Sequence, residues 1–232
     1  MQHKYDKVKN SWNGLEIMLL DNNHSIRDLT IYILKKHTAI NILNYYIDAL
    51  NGEDPIMGII GVGENGNKIH SYLLMPFLNS NNEKTVKTTL LSLSKLLGCD
   101  DNDIYWKYLF DTRISVSKAA YLSIRRNMIR YGASKLFNEF NKCSIAHVRR
   151  NLLLLLMQDN SWSRLPYLLS LYNYDDKDLR SKIRMKIHHR NGYGKISTQE
   201  ASYIRHIMKE KKNELPDTLI QKIEFDLKFV AY

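Results

Sequence analysis

The chain has 232 residues, 44% hydrophobic and 25% charged, with ten glycines, four prolines and a formal net charge of +10. So few turn-formers beside an ordinary apolar fraction exclude a disordered chain and argue against a sheet-rich fold, and no apolar run approaches the roughly 20 residues that a membrane-spanning helix needs. The N-terminal Met1-Gln-His-Lys-Tyr-Asp-Lys has no apolar core for a signal peptide, and Cys99 and Cys143 match no metal spacing, so a reduced, cytoplasmic protein with two packing thiols is expected.

Along the chain an aliphatic landmark recurs at Ile26, Ile56, Val86, Val116, Val148 and Leu179. The first three steps are thirty residues each, and the last two are thirty-two and thirty-one. A fixed period of this size marks stacked units, each of which buries its apolar face against its neighbours. Four positions after the landmarks stand Thr30, Ile60, Leu90, Ala120, Leu152 and Ile183, and seven or eight after them Ile33, Leu34, Leu93, Ile124, Leu155, Leu156 and Ile187. That spacing is one face of an α-helix. A second apolar segment precedes each landmark, ending at Leu20, Leu50, Leu78, Phe110, Phe140 and Leu171. Asp21, Asn51, Asn81 and Asp111 stand five positions ahead of the first four landmarks, where short polar side chains bond a corner's backbone. Each unit therefore reads as helix A, a polar turn, then helix B.

The period ends at Asn191-Gly192-Tyr193-Gly194. A helix is predicted from Thr198 through Lys212, a break at Glu214-Leu215-Pro216, and an apolar-rich segment from Asp217 to Tyr232. An atypical terminal pair of this kind suits a cap on a repeat array. Residues 1–190 are thus read as the repeat region and 191–232 as a non-repeat helical C-terminal cap of the same domain.

Apolar helix A, an Asp or Asn turn, then an aliphatic residue followed by Arg or Lys is a pattern that resembles HEAT repeats, particularly the short bacterial HEAT-like kind. The residues that carry the likeness are Asp21-Asn-Asn-His-Ser-Ile26-Arg27, His147-Val148-Arg149 and Asp178-Leu179-Arg180. It covers about residues 12–190. It implies an all-α, right-handed α-solenoid of about six helix pairs whose B helices line a concave face where partners bind. It says little of activity, because the family spans scaffolds, adaptors, lyases, hydroxylases and nucleic-acid enzymes.

The charge is uneven. Residues 1–112 hold 11 Lys and Arg against 13 Asp and Glu, a balance of −2, and residues 113–232 hold 23 against 11, a balance of +12. Any attraction for an acidic partner is thereby assigned to the C-terminal half. Positions two, five and nine after each landmark are expected on the outward face of helix B. They read Asp28, Ile31 and Lys35; Gly58, Gly61 and Asn65; Thr88, Leu91 and Lys95; Lys118, Tyr121 and Arg125; Arg150, Leu153 and Met157; and Ser181, Arg184 and His188. The candidate partner-binding residues are Lys95, Lys118, Tyr121, Arg125, Arg126, Arg150, Arg184 and His188. They suggest a non-catalytic scaffold or adaptor that grips an acidic protein surface through the basic concave face of its C-terminal repeats, units four to six, without cofactor or metal. The alternative is a nucleic-acid-binding protein, with or without the chemistry of HEAT-like alkylpurine DNA glycosylases, for which Trp106, Trp162 and Asp111 are candidates by residue type alone.

Other motifs have plainer readings. Gly61-Val-Gly63-Glu-Asn-Gly66 spells a dinucleotide fingerprint, but no strand–helix alternation surrounds it, and the period places Ile56 at a helix start and Gly66 in a turn. Arg27, Lys87, Arg149 and Arg180 follow their landmarks directly and suit bonds to turn carboxylates or carbonyls, with Asp21 and Asp28 near Arg27. Lys182 to Ile187 alternates as a strand does, yet the period predicts helix. Ser115-Val-Ser-Lys118 matches S-x-x-K without its partner motifs.

Overall fold

The computed structural model describes residues 14–100, 102–158, 162–189 and 195–230. The described residues form helices and turns with no strand, so the chain is all-α. Ile56–Val62 is helical as the period requires, and so is Lys182–Ile187 despite its strand-like alternation. No helix among these residues is long and apolar enough to cross a membrane. The chain divides into two compact units, Met1–Ile129 and Arg130–Tyr232.

In the first unit a 3-10 turn at Leu15–Leu20 precedes α1 (His24–His37), α2 (Ile42–Ala49) and α3 (Ile56–Asn65). A broken segment follows, Lys68–His70, α4 (Ser71–Leu74) and Met75–Asn79, and then α5 (Glu83–Leu97), α6 (Asn102–Leu109) and α7 (Ile114–Arg126). Of the expected corner residues, Asp21 and Asp111 accept from the backbone N–H groups of Asn23 and Arg113, while other residues cap the helices. Asn23 accepts from the backbone N–H of Ser25, Asn41 from Leu43 and Asn44, and Asn82 from Lys84 and Thr85; such a cap contributes about 1 kcal/mol. The Leu15–Leu20 turn packs on α1, α2 on α3, Met75–Asn79 on α5 and α6 on α7, while α3, α5 and α7 pack side by side. Ile56, Val86 and Val116 are buried between these layers with Ile59, Val62, Leu90, Leu93, Ala120 and Ile124. Two tyrosines of the outer layer tie it together. Tyr46 donates to the Leu19 carbonyl and Tyr108 to the Leu78 carbonyl, each at 3.0 Å. Burial pushes the Tyr46 hydroxyl pKa up to about 12.

The glycines of α3 serve close packing. A Cβ on Gly61 would stand 1.9 Å from a ring carbon of Tyr46, and one on Gly58 would meet the backbone of Leu50 at 2.8 Å. Both were expected to face outward and both are buried. The dinucleotide fingerprint is therefore an ordinary helix whose small residues let α2 approach. Ile26 is also corrected: it is 39% exposed while its neighbour Arg27 is only 4% exposed.

The second unit comprises α8 (Ala133–Lys142), α9 (Ala146–Leu156), a turn at Trp162–Arg164, α10 (Leu165–Ser170), α11 (Lys177–His188), α12 (Thr198–Glu210) and α13 (Asp217–Val230). α8 packs on α9, and α10 on α11 and α12. Leu153 and Met157, also expected outward, are buried beside Val148, Leu152, Leu155 and Leu156. Around them Phe140, Phe137, Tyr167 and Tyr203 form successive ring contacts at 6.2, 4.9 and 6.1 Å. Arg164 is 4% exposed and donates to the Leu155 and Leu156 carbonyls, satisfying groups that the end of α9 leaves free. Ser197 and Glu200 form a capping box at the start of α12. The segment Asn191-Gly192-Tyr193-Gly194 lies outside the described residues.

Candidate interaction surface

The exposed cations of the first unit are positioned by the way α3, α5 and α7 adjoin. Gly63 on α3 leaves room for Ser92 on α5, because a Cβ there would come within 2.5 Å of the serine. Near the ends of the same two helices Glu64 meets Lys95 at 3.1 Å. At the next interface Ser115, in the first turn of α7, donates to Glu83 at the start of α5. Asn127, just past α7, donates to the Ser94 carbonyl at 3.1 Å. Between α5 and α7 starts meet starts and ends meet ends, and between α3 and α5 the ends meet, so the three run parallel.

Their packed sides leave one stripe open on each helix. On α5 it is Lys84, Lys87, Leu91 and Lys95, at three- and four-residue steps. On α7 it is Lys118, Leu122, Arg125 and Arg126, with half-buried Tyr121 at its edge, and on α3 it is the half-buried Met57, Ile60 and Glu64. The side of α7 that faces α5 is marked by Ser123, whose hydroxyl lies 3.4 Å from the Leu90 carbonyl. The side facing α6 is marked by Ser117, which donates to the Leu109 carbonyl at 2.6 Å. Leu122 and Arg126 project between these directions and away from α6, on the same side as Leu91 and Lys95.

Glu64 is an acid on this side, and it is already neutralised. It accepts from Arg27 at 3.0 and 3.1 Å and from Lys95 at 3.1 Å. His24 stands 3.6 Å away. Burial works against the Glu64 carboxylate, but hydrogen bonds from Arg27 and Lys95 and their charges outweigh it, holding its pKa below the usual value. Arg27 also donates to the carbonyls of Asp21 at 2.9 Å and Asn22 at 3.2 Å. Its carboxylate partner is thus Glu64, thirty-seven residues away, whereas Asp21 contributes a backbone oxygen and Asp28 pairs with His24.

The expected partner-binding residues fall into two groups. Lys118, Arg125 and Arg126 stand exposed on α7, and no ion pair or hydrogen bond among the described residues engages their side chains. No acidic residue occurs from Thr112 to Asn138. Lys95 shares this face while holding Glu64. In the second unit, Arg150 pairs with Asp178 at 2.8 Å and lies 3.8 Å from Asp176. Hydrogen bonds from Lys182 and then Arg150 hold the Asp178 pKa below its usual value. Arg184 donates to the Tyr172 carbonyl and to Asn173, with its guanidinium 4.5 Å from the Tyr172 ring centre. His188 is exposed at the end of α11, where its carbonyl accepts from Lys222. Lys84, Lys87 and Leu122 were not anticipated. A three- and four-residue stripe counted back from Lys95 finds the first two, and Leu122 adjoins Tyr121.

The residues considered for glycosylase-type chemistry have local structural partners. Asp111 accepts two hydrogen bonds from the Arg113 guanidinium, at 2.9 and 2.8 Å, within its turn. Trp106 packs edge-on against Phe110, and Trp162 is buried in the other unit. Among the described residues no group of three or more His, Cys, Asp or Glu is arranged to hold a metal. No protein-family model matches the chain, and no curated protein matches it.

Proposed function

We propose that this chain is a non-catalytic interaction module built as an α-solenoid of HEAT-like helix pairs, acting in the cytoplasm as a scaffold or adaptor for an acidic protein surface. The repeat reading is supported, in the first unit, by the succession of α2, α3, Met75–Asn79, α5, α6 and α7 and by the side-by-side packing of α3, α5 and α7. The observation that carries the binding reading is the set of exposed cations whose side chains have no ion-pair or hydrogen-bond partner among the described residues, Lys118, Arg125 and Arg126, beside an acid already neutralised by Arg27 and Lys95. Under physiological salt such charges act over only about 8 Å, so the partner must make direct contact.

The test is fluorescence anisotropy of the full chain with a labelled acidic polypeptide, and separately with duplex DNA, across a salt series. The polypeptide should bind, and Arg125→Glu with Arg126→Glu should weaken it at least tenfold. Unchanged binding by that variant refutes the reading. So does exclusive binding of DNA with a log–log salt slope of about −0.9 per phosphate contact.

A further inference from the structure

We infer that the face formed by α3, α5 and α7 takes an acidic amphipathic helix lying across these three helices. The inference rests on the acidic-partner reading above and specifies the partner's shape. The face carries apolar residues as well as charge: Ile60, Leu91 and Leu122 recur at thirty-one residues, one on each adjoining helix. Ile60 and Leu91 are half-buried and Leu122 is 38% exposed. Cations stand on both sides of this apolar line. Lys84, Lys87 and Lys118 lie toward the starts of the helices, and Arg125 and Arg126 toward their ends, beside Lys95, whose own partner is Glu64.

The dimensions select a helix. Packed helices lie about 8–10 Å apart, so successive apolar residues recur across the face at about that distance. An α-helix rising 1.5 Å per residue covers it in roughly five to seven residues, up to two turns, so apolar side chains at i, i+7 and i+14 would meet all three. An extended strand presents same-side residues about every 7 Å and falls out of step. Along α5 the eight residues from Lys87 to Lys95 span about 12 Å, and along α7 the seven from Lys118 to Arg125 span about 10 Å. That separation matches the roughly 10–12 Å diameter of a helix with its side chains. Its carboxylates would then flank the apolar stripe on both sides and meet both cation rows, the helix-in-groove mode of recognition. A nucleic-acid backbone offers phosphates to the cations but nothing to the Ile60–Leu91–Leu122 line.

The experiment uses two labelled synthetic peptides of identical acidic composition, one with its leucines in a heptad stripe and one scrambled to destroy the stripe. Binding to the full chain is read by anisotropy, and peptide helicity by circular dichroism. The patterned peptide should bind at least tenfold more tightly than the scrambled one and gain helicity when bound. Leu91→Ser with Leu122→Ser should abolish that advantage, and Leu122→Ser alone, at an exposed position, should reduce it severalfold without changing the thermal melt. Equal affinity for the two peptides overturns the helix inference while leaving acidic binding intact. Failure to bind either peptide overturns both readings, as does tighter binding of duplex DNA than of either peptide.

Discussion

Glu64→Gln isolates the electrostatic centre of the first unit, because glutamine keeps the volume and one acceptor oxygen while removing the charge. Arg27 is 4% exposed, and Glu64 supplies two of its hydrogen bonds. A buried cation stripped of its partner typically costs about 3–5 kcal/mol. The Glu64 side chain keeps 16% exposure and Lys95 keeps 30%, so water recovers part of the loss and about 2–4 kcal/mol is the expected penalty. For a chain of this size that lowers the melting temperature by roughly 5–15 °C at neutral pH. The Glu64 pKa is depressed in the folded chain, so its stabilisation is fully present above the ordinary carboxylate value of 4.5 and is lost as pH falls through the lower folded value. The gap between wild type and variant should therefore persist from pH 7 down to about 5 and close in stronger acid. Arg27→Met combined with Glu64→Leu should recover most of the loss, since two apolar groups leave no orphaned charge. The measurement is thermal and urea denaturation by circular dichroism from pH 3 to 7. A variant melting within about 2 °C of wild type at pH 7 would refute the reasoning.

Two further outcomes follow from the backbone. Gly61→Ala would put a methyl 1.9 Å from the Tyr46 ring, which is anchored through its hydroxyl to Leu19. It should lower stability by about 3 kcal/mol in urea titration, whereas Gly132→Ala, with nothing within 4 Å of the new Cβ, should be nearly neutral; equal effects would refute the packing argument. Met128 ends α7 in the left-handed region at φ 51°, 75% exposed, with Ile129 N–H bonded to the Ile124 carbonyl and Met128 N–H to the Arg125 carbonyl. This is a Schellman cap carrying methionine where glycine is usual. Met128→Gly should stabilise by about 0.5–1 kcal/mol, seen as a higher melting temperature, and an unchanged or lower value counts against strain at that residue.

The helices were legible because their signals are local. Each landmark from Ile56 onward lies within the first four residues of a helix, and the expected corner residues Asp21 and Asp111 accept from the backbone N–H two residues on, although the caps of α1 and α5 are the neighbouring Asn23 and Asn82. What escaped were features set by neighbours distant in sequence. Arg27 displaced Ile26 from the interior because a carboxylate thirty-seven residues away compensates its charge, and hydropathy at the two positions carries no trace of that pairing. Gly58 and Gly61 stood at positions counted as outward, but the approach of α2 buries them. Leu153 and Met157 met the same outcome on α9, where five consecutive leucines leave little periodicity from which to choose a face.

The candidate site shows why a period fixes helix order better than chemistry. Cationic character at Lys95, Arg150 and Arg184 was readable from position alone, yet all three hold intramolecular partners. Lys95 neutralises Glu64, Arg150 meets Asp178, and Arg184 closes on Tyr172 and Asn173. A cation already paired gains little from a new anion, because the old pair must be broken first. On the proposed reading, binding capacity concentrates where the local sequence withholds acids, and the stretch from Thr112 to Asn138 does so completely. Along it, Lys118, Arg125 and Arg126 emerge beside Leu122 on a helix whose other sides are fixed by α5 and α6. If the proposed function holds, local acid depletion coinciding with an exposed apolar residue, more than net charge, is what marks this face for a partner rather than for water alone.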